Sequence, residues 1–292
     1  MIKFPKETGY FLDMEEVLTD ADTARYVLVP VPYDGTSTFV KGADKGPQAI
    51  IEASDSLELY DPVYDIEACH AGIHTDAPIT ELGTPDEMVE SVYRRVSQWV
   101  ERGKTVGLLG GEHSVSEGAI RAAVERHPDL TVLQIDAHAD LRDEYHGNPH
   151  NHACVMRRAQ CMGAKVVQVG IRSVALEEKC HLMPENTFFA HNIVGQPAEW
   201  MDRVCDRLTP NVYITIDLDG LDPSVLPATG TPQPGGLGWY ELTRLLDRVF
   251  HCCNVVGFDV VELCPQPDNV ISDVLAATLV YKIITLSEII KY

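Results

Sequence analysis

Acidic and histidine side chains recur at alternate positions in two short segments of the chain. The segment Asp-Ala-His-Ala-Asp at 136–140 carries Asp136, His138 and Asp140, and Asp-Leu-Asp at 217–219 carries Asp217 and Asp219. In an extended backbone, residues two apart project to the same side, so the members of each segment can converge. Carboxylate oxygens and imidazole nitrogens in such a cluster are ligands for divalent metal ions.

A third segment, Gly-Gly-Glu-His-Ser at 110–114, adds the imidazole of His113 to these four carboxylates and to His138. Four carboxylates in one dry pocket would raise one another's pKa values, and two divalent ions would balance them, with at least one carboxylate shared. Mixed oxygen and imidazole donors fit Mn²⁺ better than a structural zinc and leave Ni²⁺, Fe²⁺, Co²⁺ and Zn²⁺ open. A dinuclear site of this kind makes hydroxide at neutral pH, so we expect metal-assisted hydrolysis.

Each of these segments directly follows a short apolar run, which is typical of a strand buried on both faces. Glu262 likewise follows such a run, so four runs would each deliver acids or histidines to one edge of a sheet. The predicted strands cover 26–31, 106–109, 131–135, 166–169, 187–189, 212–216 and 255–261.

Amphipathic helical patterns lie between the predicted strands. The clearest spans 85–102, where Thr84 and Glu87 form a capping box around Pro85, and others span about 114–126, 198–208, 240–250 and 273–290. Alternating strands and helices predict one α/β domain, with a mostly parallel sheet of about eight strands and helices on both faces. We expect residues 1–25 to form an N-terminal arm and 26–292 the catalytic domain.

The composition limits the classes of molecule that the protein is expected to bind. The chain has 292 residues and a formal net charge of −21, which argues against a nucleic-acid or anionic-membrane surface and favours a small cationic substrate. The sequence has no evident signal peptide or membrane span, so we expect a cytoplasmic protein. Its eight cysteines are scattered without a CxxC pair, and we interpret them as reduced and mostly buried.

Together, the segments at 110–114, 136–140, Asp-Leu-Asp-Gly-Leu-Asp-Pro at 217–223 and Val-Glu-Leu at 261–263 resemble the ureohydrolase superfamily of arginases and agmatinases. The similarity extends from about residue 26 to the end and includes 35–50, which resembles the family's first substrate-side loop and the following helix. It implies an arginase-like fold and, commonly for the family, a homotrimer or homohexamer.

The resemblance also implies roles for the site residues. Two manganese ions would be bound, with Asp136 and Asp217 bridging them. The first ion would be held by His113, Asp136, Asp140 and Asp217, and the second by Asp136, His138, Asp217 and Asp219. Glu262 would pair with the substrate guanidinium while a metal-bridging hydroxide attacks its carbon. Asp140 would pass on a proton, and a loop histidine would shuttle protons to the leaving amine. His152 best matches that histidine, with His146 and His150 nearby.

The loop at 141–152 is more like that of bacterial agmatinases than that of arginases, so the sequence predicts hydrolysis of agmatine to putrescine and urea. Asp143 and Glu144 at the rim would favour a distal ammonium, although they could equally face solvent. Arg142 would favour a carboxylate-bearing substrate if it points inward. The same chemistry on aminopropylagmatine, 4-guanidinobutanoate, arginine or guanidine therefore stays open.

Overall fold

The computed structural model describes residues 9–290, and within that range eight strands form one fully parallel sheet. The strands of this sheet are β1 Tyr26–Val31, β4 Ile73–Thr75, β5 Thr105–Gly110, β6 Thr131–Ile135, β7 Lys165–Ile171, β8 Thr187–Phe189, β9 Asn211–Asp217 and β10 Asn254–Val261. Their order is β4-β1-β5-β10-β9-β6-β7-β8. The predicted eight-stranded architecture is confirmed, and all seven predicted strands are present. The sequence prediction missed the three-residue edge strand β4 and the two-residue strands β2 Tyr60–Asp61 and β3 Ile66–Glu67, which pair antiparallel.

Helices cover both faces of the sheet, as predicted. They are α1 Glu16–Thr19, α2 Gly46–Ser54, α3 Pro85–Glu101, α4 Ser116–Arg126, α5 Val155–Cys161, α6 Ala190–Ile193, α7 Glu199–Cys205, α8 Trp239–Cys252 and α9 Ile271–Ile289. The predicted capping box of α3 is present, because the Glu87 amide donates to Thr84 Oγ1 and the Thr84 amide donates to Glu87 Oε2. The sequence patterns gave no helix at α5, a seven-residue element too short for a clear periodicity.

The sheet separates two apolar cores, and the alternation of strand side chains explains why. In β1, Tyr26 and Leu28 pack into one core while Val27, Val29 and Val31 pack into the other. Helices α2, α7, α8 and α9 cover the first core, and α3, α4 and α5 cover the second. Side chains along a strand point alternately to its two faces, so a sheet covered on both sides needs the near-continuous apolar runs seen in the sequence.

The N-terminal segment predicted as an arm packs on the sheet edge where it is described. Phe11 and Leu12 are fully buried; the Phe11 amide donates to Thr75 Oγ1 at 2.8 Å and the Leu12 amide to Ser54 Oγ at 2.7 Å. Residues 1–8 of that predicted arm, and residues 291–292 of the predicted catalytic domain, lie outside the described residues.

The prediction that most cysteines are buried is wrong. All eight are free thiols, and Cys69, Cys154 and Cys264 are the buried ones. The others lie in helix tails and loops that are partly open to solvent. Across residues 9–290, none of the helices combines the length and apolar character that a membrane crossing requires.

Helices α3 and α4 approach closely at Gly118, and we predict that a methyl group there destabilises the fold. A Cβ at Gly118 would lie 2.6 Å from the Val89 carbonyl oxygen and 2.7 Å from the Tyr93 nitrogen, both of which are backbone atoms. Gly118→Ala should therefore lower the free energy of unfolding by about 1–3 kcal/mol, as overpacking does. Thermal or urea denaturation would measure it, with Gln98→Ala on the exposed side of α3 as the control. Equal stability of the two variants would contradict the close approach.

Candidate active site

The four central strands of the sheet, β5, β10, β9 and β6, are consecutive neighbours and end at one edge. His113 lies just after β5, Glu262 directly after β10, Asp217 at the end of β9 and Asp136 directly after β6. The carboxyl edge of a parallel sheet is where ligands bind in open α/β folds. The topology thus brings together residues that are up to 149 positions apart, such as His113 and Glu262, whose backbone amide and Oε1 lie 2.7 Å apart.

Two of the predicted site residues have left-handed backbone conformation. Asp140 has φ of 54° and Glu262 has φ of 66°, a region that non-glycine residues rarely occupy. Such a conformation costs on the order of 1–3 kcal/mol and persists where the surroundings impose it, which is common at functional sites. The backbone next to Glu262 is closely packed. The Glu262 amide donates to the Gly111 carbonyl, and a Cβ at Gly111 would lie 1.9 Å from the Tyr33 backbone carbonyl oxygen.

The first group of candidate metal ligands surrounds His113. Its Nδ1 lies 3.2 Å from Asp136 Oδ2, 3.1 Å from Asp140 Oδ2 and 3.3 Å from Asp217 Oδ2, yet this buried nitrogen has no hydrogen-bond partner. The other ring nitrogen, Nε2, is 2.8 Å from Thr215 Oγ1, and that hydroxyl donates to Asp259 Oδ1 at 2.6 Å. Because the hydroxyl's proton is used on Asp259, His113 Nε2 must be the donor, and the Nδ1 lone pair faces three carboxylates. A cation between them fits this arrangement.

The second group shares Asp136 with the first. His138 Nδ1 lies 3.0 Å from Asp219 Oδ2 and 3.7 Å from Asp136 Oδ1. The ligand atoms of Asp136, His138 and Asp219 all lie within 4.8 Å of one another, as do those of His113, Asp136 and Asp140. Two neighbouring groups with a common carboxylate match the donor set of two divalent ions.

A single arginine fixes the turn that presents Asp219. The Arg172 guanidinium donates to six backbone carbonyl oxygens, which belong to Gly170, Asp219, Gly220, Leu221, Gln233 and Pro234. It thereby ties the turn after β9 to the Pro- and Gly-rich loop at 226–238. Thr231, in that loop, donates to Asp219 Oδ2 at 3.1 Å. Asp222 accepts from the Ser224 amide and hydroxyl, which is the turn role that its place before a proline predicts.

The electrostatics of the cluster favour added positive charge. Burial, followed by repulsion from Asp219 and Asp136, raises the pKa of Asp217 well above its usual range. Burial and Asp136 raise the pKa of Asp140 to about 7. Burial alone would lower the pKa of His138, but hydrogen bonds to Asp136 and Asp219 raise it to about 12. Carboxylates that resist ionisation and imidazoles that hold a proton are both signs of a site that binds cations.

A cavity of about 150 Å³ opens over this cluster. His113, His138, Asp140, Asp217 and Glu262 line it, together with His152 from the loop after β6. Burial is the main cause that lowers the pKa of His152, to about 4, so its ring is neutral near pH 7.

The two other loop histidines are placed differently from His152. His150 Nδ1 is 2.9 Å from both carboxylate oxygens of Glu117, and His146 is exposed beside Tyr145. Neither of them lines the cavity.

The three charged rim residues also differ in placement. Asp143 is 64% exposed and pairs with Arg157 and His181, so its carboxylate is engaged outside the cavity. Glu144 is exposed and does not line the cavity, and within residues 9–290 it has no recorded hydrogen bond or ion pair. Arg142 lines the cavity, but its guanidinium pairs with Glu177 and lies 4.4 Å from the Tyr145 ring centre.

The sequence reasoning missed the groups that hold the histidines. Thr215 and Asp259 lie inside predicted strands, where Thr215 contacts His113 and donates to Asp259. Thr36 contacts both Glu112 and His152. Glu112 stands within the segment that singled out His113, and Thr36 within 35–50, so both segments pointed to the right region. Threonines are common in strands and loops, however, and only the folded structure shows which threonine hydroxyls contact an imidazole.

An α/β protein with this sheet order, and with paired His/Asp groups at the carboxyl edge, has the arrangement of a metal-dependent hydrolase. Residues 24–285 match the model of the arginase family, and the chain belongs to that family.

Individual relatives agree with the family match. The chain is 39% identical to an N(1)-aminopropylagmatine ureohydrolase of Synechocystis sp. over 96% of its length and 94% of that protein's. It is 32% identical to an agmatinase of Pyrococcus horikoshii, over 94% of this chain and 96% of that one. The solved agmatine ureohydrolase of Thermoplasma volcanium superposes with a TM-score of 0.84 at 34% identity, covering 92% of each chain. The expected arginase-like fold is confirmed.

The hydroxyl of Thr215 holds the His113 ring, so we predict that Thr215→Val weakens metal binding. The substitution keeps the shape and removes the acceptor for Nε2, and loss of such a support lowers metal affinity about 10- to 100-fold. Isothermal titration of the metal-free protein with Mn²⁺ would measure it. Thr131→Val is the matched control, because Thr131 is also a buried strand threonine but bonds Thr209 instead. Unchanged affinity in Thr215→Val would contradict the supporting role.

Proposed function

We propose that the protein hydrolyses the guanidino group of N1-aminopropylagmatine, releasing urea and a polyamine. The observation that carries this choice is the 39% identity, over nearly the whole chain, to a relative of that name. Agmatine, which would give putrescine and urea, is the second candidate, supported by the 32% identical agmatinase and by the loop at 141–152.

Glu262 is the proposed partner of the guanidinium. Its carboxylate lines the cavity and is anchored through Oε1 by the His113 amide at 2.7 Å. Burial, together with repulsion from Glu112, raises the pKa of Glu262 well above its usual range, so a cationic substrate would favour the ionised form. A planar guanidinium can donate two parallel hydrogen bonds to such a carboxylate, which fixes its orientation as well as its position.

Two Mn²⁺ ions are the proposed cofactors, and the donors are oxygen and imidazole throughout. His113, Asp136, Asp140 and Asp217 would hold one ion, and Asp136, His138, Asp217 and Asp219 the other. When bound, such ions supply a nucleophile at neutral pH and stabilise negative charge that develops on the substrate.

The chain's own groups would move the protons. Asp140 lines the cavity, and its carboxylate would accept a proton near the reacting carbon and release it again. His152 lines the same cavity as a neutral ring and would carry a proton to the leaving amine nitrogen.

We propose Glu144 as the acid that accepts the far end of the substrate. The tail of N1-aminopropylagmatine carries two amino groups, whereas that of agmatine carries one. Glu144 lies next to Tyr145, which lines the cavity, and its exposed carboxylate is not engaged by a recorded partner among residues 9–290, in contrast to that of Asp143. The net charge of −21 adds a general attraction for polycations.

We further propose that the protein acts in the cytoplasm as a homo-oligomer, a trimer or a hexamer. Eight free thiols suit a reducing compartment. Light scattering after size-exclusion chromatography would give the number of subunits.

Urea release tests the proposed substrate directly. The Mn²⁺-loaded protein would be offered N1-aminopropylagmatine, agmatine, 4-guanidinobutanoate, arginine and guanidine side by side, with Asp136→Ala as the inactive control. We expect kcat/KM to be highest for N1-aminopropylagmatine. A higher value for agmatine would overturn that choice and keep the chemistry, while no urea from any of the five would overturn both.

The tail contact predicts a substrate-dependent effect of Glu144→Gln. Loss of one exposed ion pair is worth about 0.2–1 kcal/mol, so KM for N1-aminopropylagmatine should rise about 1.5- to 5-fold, with kcat unchanged. KM for agmatine should rise less. Glu185→Gln is the control, because Glu185 is an exposed glutamate just before β8, at the amino ends of the strands and away from the cavity. If Glu144→Gln leaves KM unchanged from the unmodified protein for each of the two substrates, Glu144 does not contact the substrate tail.

A further inference from the structure

We propose that Thr36, held by the buried carboxylate of Glu112, is a positioning residue that sets the tautomer and the orientation of His152. The inference rests on the proposed function, in which His152 carries a proton to the leaving amine. It adds a hydrogen-bonded series of three side chains, Glu112, Thr36 and His152, which come from three separate segments of the chain.

The Thr36 hydroxyl lies at the centre of this series. Its Oγ1 donates to Glu112 Oε1 at 2.9 Å, accepts from the His152 backbone amide at 3.0 Å, and lies 3.2 Å from His152 Nδ1. One hydroxyl thus holds the imidazole of His152 and the backbone that carries it. Because two contacts converge on one atom, the ring cannot rotate about its Cβ without breaking the contact at Nδ1.

Counting hydrogens on that oxygen gives the tautomer. A hydroxyl has one hydrogen and two lone pairs, and the backbone amide can only donate. The one hydrogen goes to Glu112, so Thr36 Oγ1 must accept from His152 Nδ1 as well as from the amide. The neutral ring then carries its proton on Nδ1, and Nε2 keeps the lone pair. Within residues 9–290 no hydrogen bond is recorded to Nε2, which leaves that nitrogen for the substrate.

Glu112 is itself fixed from several sides. It is fully buried, Oε2 accepts from the Ser114 amide at 3.0 Å, and Oε1 accepts from the Ser114 hydroxyl at 2.7 Å and from the Thr36 amide at 3.3 Å. Its own amide donates to the Tyr33 carbonyl. A buried carboxylate with this many donors is costly to misplace. Glu112 directly precedes His113, so one turn holds both a candidate metal ligand and the anchor of His152.

The arrangement suits a proton carrier. Nε2 takes up a proton from the water that hydrolysis consumes, so an O–H bond breaks as the N–H bond forms. The N–H bond breaks in turn when the proton moves to the nitrogen of the leaving amine, which restores the neutral ring. While the ring is positive, its Nδ1–H still donates to Thr36, and the dipole of that hydroxyl is aligned by Glu112. Support of this kind resembles the orienting third group of nucleophile and base pairs.

Replacing Thr36 tests the proposal, with Thr36→Val and Thr36→Ser as a matched pair. Valine keeps the shape and removes the hydroxyl, and serine restores it. For Thr36→Val we expect kcat to fall about 10- to 100-fold, a part of what general acid–base catalysis contributes, with KM and Mn²⁺ content within about twofold of the unmodified protein. Thr36→Ser should recover most of kcat. A Thr36→Val variant with unchanged kcat, or a serine variant as slow as the valine one, would overturn the positioning role.

A second measurement does not depend on activity or on the variant's folding. Nitrogen-15 NMR of the unmodified protein, loaded with diamagnetic Zn²⁺ and labelled on histidine, reports which ring nitrogen of His152 carries the proton. We expect Nδ1–H. An Nε2–H ring would overturn the proposal, even if urea is released. If the ring is Nδ1–H and no guanidino substrate yields urea, the positioning stands and the proposed function fails.

Discussion

Nδ1 of His113 lies 3.1–3.3 Å from the carboxylate oxygens of three aspartates, and all four side chains are buried. A lone pair and three carboxylates at such distances repel one another unless positive charge lies between them. Much of the surrounding structure serves this constraint. The four central strands bring the charges to one edge, and the turns after them supply backbone amides to individual carboxylate oxygens. Arg172 adds six hydrogen bonds to carbonyl oxygens around the turn that carries Asp219.

The same arrangement of side chains orients two histidines at the candidate site. A threonine hydroxyl donates to a fully buried carboxylate and accepts from an imidazole, through Thr215 and Asp259 at His113 and through Thr36 and Glu112 at His152. Because the hydroxyl lies between the two groups, the ring donates to a neutral oxygen and not to the charged carboxylate, which would stabilise a second proton on the ring. The two rings present opposite nitrogens to the site. His113 is held through Nε2 and faces the aspartates with Nδ1. His152 is held through Nδ1 and has no hydrogen-bond partner at Nε2 among residues 9–290.

The sequence predicted the sheet and the cluster well because both have strong local signals. Buried parallel strands are continuous apolar runs, and Asp136, His138 and Asp140 follow one of them at alternate positions. Short elements such as β4 and α5 carry too few residues for a period to show. The contacts of Thr36 span 76 and 116 positions, and no local pattern records such a contact. The ion pairs of Asp143 with Arg157 and His181 likewise appear only in the folded chain.

The left-handed backbone at Asp140 and Glu262 means that a replacement at either position changes two opposing contributions to stability. Glycine adopts this conformation without strain, so a glycine would relieve about 1 kcal/mol or more of backbone strain at each position. Glycine would also remove a buried carboxylate, and at Glu262 it would leave the His113 amide without its acceptor. The two positions therefore hold a carboxylate at the cavity where the local backbone alone favours glycine.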